Sequence, residues 1–284
     1  GGSTSVSEDG TTDTFTIVLN AQPDSNVVLA ITSGDTGEAT VNSPLTFTNA
    51  NWDTAQTVTV TGVDDNIIDG TITSTITVSV VDVSSDDNFD AVIDQDVSVT
   101  TTDNDTAGFT ITQSGGSTAV AETGTTDTFT VVLNAQPDSN VVFTITSGDT
   151  GEATVTGTLT FTNANWDTAQ TVTVTGVDDN IIDGTISSTI TVAINDGSSD
   201  NNFDSIDNQT VSVSTTDNDT AGFTITETGG STAVAETGTT DTFTIVLDAQ
   251  PAENVVLTIT SGDTGETTVN SPLTFTNANW DTPQ

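Results

Sequence analysis

Acidic residues recur in short loops of this 284-residue chain, and clustered carboxylates are the ligands that hard metal cations prefer. Between residues 107 and 220 the candidate ligands are Glu122, Asp149, Asp178, Asp179, Asp183, Asp217 and Asp219. Residues of the same kind stand 114 positions earlier or later, as Glu8, Asp64, Asp65, Asp69, Asp103, Asp105 and Glu236 (for example 122 − 8 and 236 − 122). These spacings predict one metal centre that is repeated along the chain.

The chain provides almost no positive charge to balance these carboxylates. It has 41 acidic residues and no Lys, Arg or His, so its formal net charge is −41. Asp outnumbers Glu by 33 to 8, and the short Asp side chain favours turns in which it bonds backbone amides or binds a cation. The neutralising charge therefore has to come from outside the polypeptide.

The missing residue types narrow the choice of cation. Without Cys or His, zinc and copper lack their preferred ligands, and disulfides cannot form. Without Lys, the chain cannot form a Lys–Asn isopeptide crosslink either. Sites made of oxygen atoms alone suit Ca²⁺, and suit Mg²⁺ less well in flexible all-protein cages. Because millimolar calcium is found mainly outside cells, we expect an extracellular or cell-surface location.

The elements that position these loops belong to a repeated module. Trp52, Trp166 and Trp280 are 114 residues apart (166 − 52 and 280 − 166), and residues 51–72 return unchanged as residues 165–186. A fixed period of this kind indicates an array in which each unit folds alike. We predict modules at residues 1–106, 107–220 and 221–284. The last covers about half of a period, so we expect the sequence to be a window on a longer protein.

Alternating apolar and Thr residues predict that each module is made of short β-strands. The predicted strands of the complete middle copy are 108–112, 118–121, 127–135, 140–147, 152–161, 169–177, 185–195 and 209–216, separated by turn residues. Seven or eight antiparallel strands in about 110 residues are typical of an all-β, Ig-like sandwich. Its predicted aromatic core is Phe109, Phe129, Phe143, Phe161, Trp166 and Phe203.

In an antiparallel sandwich, alternate loops gather at one end. The loop with Glu122, the VDDNIIDG turn and the segment after the last strand are therefore expected to converge. They would hold more carboxylates than can stay ionised within a few ångströms without a cation. Calcium, with six to eight oxygen ligands, would remove this repulsion.

The succession AGFTIT, VAETGTTDTFTVVL, VTVTGVDDNIIDG and VSVSTTDNDTAGF resembles the Calx-beta module, known from sodium–calcium exchangers, integrin β4 and long bacterial surface proteins. The resemblance implies calcium at the end of the sandwich, beside the junction with the next module. It places ligands at Glu122, Asp178, Asp179, Asp183, Asp217 and Asp219 and at their copies in the first module. It also implies tandem repeats of a large bacterial extracellular protein.

A simpler interpretation remains open, in which these Asp residues only form turns and solvate the surface. We favour that interpretation for the scattered residues Asp87, Asp90, Asp200 and Asp204. The VDDNIIDG turn is not an EF-hand, because it lacks that loop's glycine at position six and glutamate at position twelve. We expect no enzyme activity, because His, Lys, Cys, Tyr and Arg are absent and the carboxylate pairs recur in every module.

The sequence therefore predicts a calcium-stabilised tandem rod that serves as an extracellular stalk, adhesin shaft or filament of a microbe. Its expected partners are neighbouring modules and, in a fibre, identical chains, with a cell-surface or glycan target reached through regions outside this sequence. Direct contact with nucleic acid or anionic membrane is not expected at this charge. Two alternatives stay open. One is an adhesive module whose loops or Thr-rich sheets bind sugar, ice or another surface, and the other is a self-assembling fibre or surface-layer subunit.

Overall fold

A computed structural model of the protein describes residues 3–284, so Gly1 and Gly2 of the predicted first module lie outside the described residues. The strands of the first module are β1 (Thr4–Ser7), β2 (Thr12–Ile17), β3 (Val27–Ser33), β4 (Ala39–Val41), β5 (Leu45–Phe47), β6 (Gln56–Gly62), β7 (Ile72–Val80) and β8 (Gln95–Thr102). They form two sheets, ordered β1-β8-β7-β3-β5 and β2-β6-β4.

The middle module repeats this arrangement with one strand more. Its strands are β9 (Phe109–Gln113), β10 (Thr118–Ala121), β11 (Thr126–Leu133), β12 (Val141–Ser147), β13 (Ala153–Val155), β14 (Thr158–Phe161), β15 (Gln170–Gly176), β16 (Ile186–Ile194) and β17 (Gln209–Thr216). They form two sheets, ordered β10-β17-β16-β12-β14 and β13-β15-β11-β9.

The third module has two antiparallel pairs, β18 (Phe223–Glu227) with β19 (Phe243–Leu247) and β20 (Val255–Leu257) with β21 (Leu273–Phe275). Short 3₁₀ turns make up the described helical structure, at Asp82–Ser84, Asp87–Phe89, Ser114–Gly116, Asp196–Ser198, Asn201–Phe203 and Thr228–Gly230. Within residues 3–284, no helix is long and apolar enough to cross a membrane.

The chain is thus an all-β protein of β-sandwich modules, as the period-two pattern predicts. Two details of the prediction were wrong. The predicted strand 152–161 is two strands, because the chain leaves one sheet after Val155 and joins the other at Thr158. Gly157 lies in this crossing and accepts a hydrogen bond from the amide of Ile145 at 2.9 Å. The sandwich is also not wholly antiparallel, since β10 pairs with β17 in parallel, as β1 does with β8.

Inward residues of both sheets form one hydrophobic cluster in the middle module. The Phe143 ring lies edge-on to Phe109 and to Phe161, with ring centroids 4.9 and 5.7 Å apart. All five predicted core phenylalanines are buried, whereas Trp166 is half-buried and packs against the margin of the cluster. The first and third modules have separate clusters of their own.

Replacing Phe161 should show how much the middle sandwich depends on this cluster. Phe161 is fully buried, so Phe161→Ala should lower the free energy of unfolding of the middle module by about 3–5 kcal/mol. The exposed neighbour Thr160 is the control, and Thr160→Ala should stay within about 0.5 kcal/mol. Urea unfolding followed by Trp166 fluorescence, in a chain carrying Trp52→Phe and Trp280→Phe, measures this module alone. Equal effects of the two substitutions would contradict the assigned core.

Candidate metal centre

The acidic loops converge because three strands of the middle module end at one edge of the sandwich. Glu122 directly follows β10, Asp178 comes two residues after β15, and Asp217 directly follows β17. Gly176 permits the close approach of the first two, because a Cβ atom at this position would collide with the carbonyl oxygen of Ala121. A glycine between strand and acidic loop is thus required for Glu122 to reach the other carboxylates.

Two overlapping groups of carboxylates form in the middle module, and both contain Glu122. One group joins it to Asp217 and Asp219, and the other joins it to Glu152 and Asp179. Within each group the candidate ligand oxygens lie within 4.8 Å of one another. We call these five residues the middle acidic centre. The first acidic centre is likewise built on one shared glutamate but groups the Asp residues differently, as Glu8 with Glu38 and Asp69, and Glu8 with Asp65 and Asp105.

The remaining predicted ligands of the middle module make different contacts around this centre. Asp178 accepts a hydrogen bond from the side-chain amide of Asn218 at 2.9 Å, and Asp183 donates its backbone amide to Asp217 at 3.1 Å. Asp149 is exposed and caps its own turn, accepting a bond from the amide of Gly151 at 3.1 Å. In the first module, Asp64 accepts from Asn104 at 3.1 Å and Asp103 accepts from the amide of Gly70 at 2.8 Å. Glu236 is exposed.

Glu152 and its copy Glu38 were not predicted from the sequence. Both stand in an SGDTGE turn, three residues after the Asp of that turn, and they are only 7% and 6% exposed. In the middle module that Asp, Asp149, was predicted as a ligand instead. The local pattern did not mark them, because side chains alternate along a strand and a residue directly before the buried Ala153 or Ala39 would be expected to face outward. In the structure Glu152 is buried beside Glu122 and Asp179, while Asp149 at the tip of the turn is exposed.

Several buried carboxylate oxygens of the two centres have no hydrogen-bond partner. They are Oε2 of Glu38 and Glu152 and Oδ2 of Asp105 and Asp219. A buried charged oxygen without a partner is costly, and Glu8 and Glu122, each 1% exposed, add further buried carboxylates beside them. With no basic side chain in the sequence, the partner that fits is a cation bound by oxygen atoms.

Burial dominates the electrostatics of both centres. Burial raises the pKa of Glu8 to about 7, although the hydrogen bond from the backbone amide of Asn104 acts to lower it. The nearby charge of Asp103 also raises this pKa. Burial likewise raises the pKa of Glu122 and of Glu152 above the usual range of a carboxyl, with nearby Asp charges adding to the effect. The same cause raises the pKa of Glu38, Asp69, Asp105 and Asp219.

Asp217 differs from its neighbours. Backbone amides of Asp219 and Gly184 donate to its carboxylate at 2.6 and 2.8 Å and hold its pKa below the usual range. This carboxylate therefore stays ionised while it orders the segment after β17 and the turn after β15. The middle acidic centre is therefore a set of oxygen ligands in which backbone amides hold Asp217, while Glu122 and Glu152 are buried close to each other.

No family model matches the chain, and no curated protein matches it. Among solved structures it is similar to domains 4 and 5 of the S-layer protein SbsC, at 20% identity over 66% of this chain and 70% of that chain, with a TM-score of 0.32. It is similar to the calcium binding domain CBD12 of CALX1.1, at 12% identity over 68% and 77%, with a TM-score of 0.30. It is also similar to the apo-form Calx CBD1 domain, at 15% identity over 39% of this chain and 98% of that chain, with a TM-score of 0.29. All three similarities are at low identity and low TM-score.

The raised pKa values predict an unusual pH dependence without metal. The pKa of Glu8 rises from 4.5 to about 7, so between these pH values the folded chain binds a proton that the unfolded chain releases. The stability of the metal-free chain should therefore fall as pH rises from about 5 to about 7. Urea unfolding after removal of divalent ions measures this slope.

The double variant Glu8→Gln/Glu122→Gln should flatten the slope of stability against pH, whereas Asp9→Asn, at an exposed neighbouring carboxylate, should leave the slope unchanged. A stability that rises with pH in the metal-free chain would contradict the buried, crowded state of these carboxylates.

Proposed function

We propose that this chain is a non-catalytic, calcium-binding array of β-sandwich modules that acts as a spacer outside the cell. The observation behind the proposal is the unpartnered, buried carboxylate oxygen of Glu152 beside Glu122, which recurs at Glu38 beside Glu8. A chain of net charge −41 without a basic side chain has no internal means of compensating these charges.

Each complete acidic centre offers two neighbouring cation positions that share one glutamate. In the middle module, Glu122 would serve both, with Glu152 and Asp179 on one side and Asp217 and Asp219 on the other. Calcium would neutralise the repelling carboxylates and link the ends of strands that are otherwise held by a few backbone contacts. Binding only to the folded state, it would stabilise each module by mass action.

The acidic turn of the first module, residues 64–69, also contacts the following module, and this contact supports a role for the turn in fixing the joint between modules. Asn66 accepts a hydrogen bond from the backbone amide of Gln136 at 2.7 Å, and Ile68 packs against the middle hydrophobic cluster. The next junction repeats the contact, with the amide of Gln250 donating to Asn180 at 2.7 Å. Residues 66–68 lie between the candidate ligands Asp65 and Asp69. Calcium would thus order the loop tip on which the next module rests, and a tandem array would become a stiff rod.

An extracellular or cell-surface location follows from the cation that the centre suits, since calcium is abundant there. A stalk, an adhesin shaft and a filament all need the spacing and stiffness that such an array would provide. Catalysis is not part of the proposal, because the sequence lacks His, Lys, Cys, Tyr and Arg.

Calcium binding can be tested through two carboxylates of one turn. Glu152→Gln should weaken calcium binding by the middle module about tenfold or more, whereas Asp149→Asn should change it less than about threefold, since only Glu152 belongs to the centre. Calorimetric titration of the metal-free chain measures both. Without calcium, Glu152→Gln should raise the thermal midpoint, because it removes a buried and repelled charge. An unchanged melting curve in excess chelator, or equal effects of the two variants, would overturn the proposal.

The stiffness of the joint can be measured between two spin labels. The chain has no Cys, so Asp53→Cys and Asp167→Cys, at exposed positions of adjacent modules, are labelled selectively. Calcium should narrow the distribution of distances between the labels. Gln136→Pro removes the amide that donates to Asn66 and should broaden the distribution again.

Gln22→Pro is the matched control for this substitution. Gln22 and Gln136 make the same side-chain bond within their own modules, to Asn49 at 2.8 Å and to Asn163 at 2.7 Å. Gln22 has no described contact with a preceding module, so Gln22→Pro should leave the distribution between the labels unchanged. Distance distributions that respond neither to calcium nor to Gln136→Pro would show that the loop does not fix the joint.

A further inference from the structure

The acidic turn of the first module rests on two separate segments of the middle module. One is the loop after β11, where the amide of Gln136 donates to the carbonyl of Asn66 at 2.7 Å. The other is the 3₁₀ turn Asn201–Phe203, where the side-chain amide of Asn202 donates to the carbonyl of Ile68 at 3.3 Å. The tip of the acidic turn therefore presents two carbonyl groups to two N–H donors that are 66 positions apart in the sequence (202 − 136).

One buried carboxylate joins these two receiving segments. Asp200 is only 5% exposed, so the expectation that it solvates the surface was wrong. Its Oδ2 atom accepts a hydrogen bond from the backbone amide of Ser139 at 2.8 Å, and its Oδ1 atom accepts one from the backbone amide of Asn202 at 3.0 Å. The backbone amide of Asp200 itself donates to the carbonyl of Asn140 at 2.9 Å. Asp200 thus fixes the spacing between the two segments.

The groups around Asp200 explain why an aspartate stands there. Two backbone amides and the hydroxyl of Ser139 donate toward it, and an ionised carboxylate only accepts hydrogen bonds. Hydrogen bonds to an ionised acceptor are also stronger than bonds between neutral groups. An asparagine would turn a donor nitrogen toward one of these donors, so one of the two segments would lose its anchor.

The acidic turn meets this surface with its backbone and one apolar side chain. Ile67 forms a parallel β-bridge with Gln136, and Ile68 packs against the hydrophobic cluster of the middle module. Asp65 and Asp69, on either side of this tip, belong to the first acidic centre. The contact between modules therefore uses carbonyl groups of the turn, while its carboxylates face the candidate cation positions.

We infer that Asp200 is the positioning residue of a docking surface whose partner is the carbonyl tip of the preceding module's acidic turn. The inference rests on the proposed function, in which a fixed joint makes the array a spacer, and it adds a second requirement. Calcium would order the turn on one side of the joint, and Asp200 orders the receiving surface on the other. A surface that is already held in its docked conformation loses less entropy when its partner binds, so the joint is stiff only when both sides are ordered.

The first module has the same buried carboxylate one period earlier, and this residue provides a matched control. Asp86 accepts hydrogen bonds from the backbone amides of Ser25 and Asn88 at 2.9 and 3.0 Å, the counterparts of those that Asp200 accepts. Asn88 donates its side-chain amide to Asp86 at 2.9 Å, within its own module. Asp86→Asn therefore breaks the same kind of bonds as Asp200→Asn but leaves the receiving surface of the middle module intact.

Spin labels at Asp53→Cys and Asp167→Cys test the inference. The labels are 114 residues apart, as are Asp86 and Asp200, so each substitution disturbs the label of its own module alike. In saturating calcium, Asp200→Asn should broaden the distribution of distances between the labels, because the receiving segments lose their fixed spacing. Asp86→Asn should leave the distribution unchanged.

Thermal unfolding separates positioning from a loss of stability. In chains that keep only the tryptophan of the affected module, Trp166 or Trp52, both substitutions should lower the thermal midpoint by about 4 °C or more. A general folding defect would then affect the distance distribution equally in both variants. A broader distribution with Asp200→Asn alone would support the docking surface, and equal distributions would overturn it.

Asn202→Ala decides the matter if Asp200→Asn does not fold. This variant keeps the backbone amide that bonds Asp200 and removes only the donor to Ile68, so it should broaden the distribution, whereas Asn88→Ala should not. Equal distributions of these two variants would then overturn the inference. If calcium narrows the distribution but Asp200→Asn leaves it narrow, the inference fails and the proposed function stands. If Asp200→Asn broadens a distribution that chelator does not change, the calcium proposal fails and the docking surface stands.

Discussion

The burial of carboxylates without an internal counter-charge is the constraint on which the rest of the structure depends. Glu8 and Glu122 are 1% exposed, and further buried oxygens of Glu38 and Glu152 stand beside them without partners. Removing a carboxylate from water costs several kcal/mol, and like charges nearby add to this cost. Protonation relieves it at mild acidity, and a bound cation relieves it at neutral pH. A protein that folds in this way at neutral pH would make its stability depend on the cation around it.

The two ends of one sandwich have different chemistry because the strands deliver different residues to them. At one end of the first module, strands finish in acidic loops that Gly62 allows to approach closely, and the tip of one loop rests on the next module. At the other end of the first module, strands border an apolar groove. Between these ends lies the hydrophobic core of the module, which contains no charged side chain. On the proposed function, cation binding would stabilise the acidic end of each module and the joint that rests on it.

Much of this architecture could be predicted from period and alternation alone, including the sandwich, the core phenylalanines and the convergence of three acidic loops. The rest depends on contacts that the local pattern does not encode. The crossing between sheets at Gly157 follows from long-range pairing, since an uninterrupted alternation reads as one strand. Parallel pairing of β10 with β17 joins residues about 95 positions apart, as in Thr118 with Val213. Glu152 was missed in favour of Asp149 because only the fold shows which side of the turn faces the other carboxylates.

A cation beside Glu152 would be direct evidence that the middle acidic centre binds calcium. A crystal structure of the chain grown with calcium, with anomalous scattering to identify the ion, would show whether an ion lies among Glu122, Glu152 and Asp179. We expect calcium about 2.3–2.6 Å from carboxylate oxygens of Glu122 and Glu152, with a second ion toward Asp217 and Asp219. Glu152 oxygens that contact only water or protein in saturating calcium would contradict it.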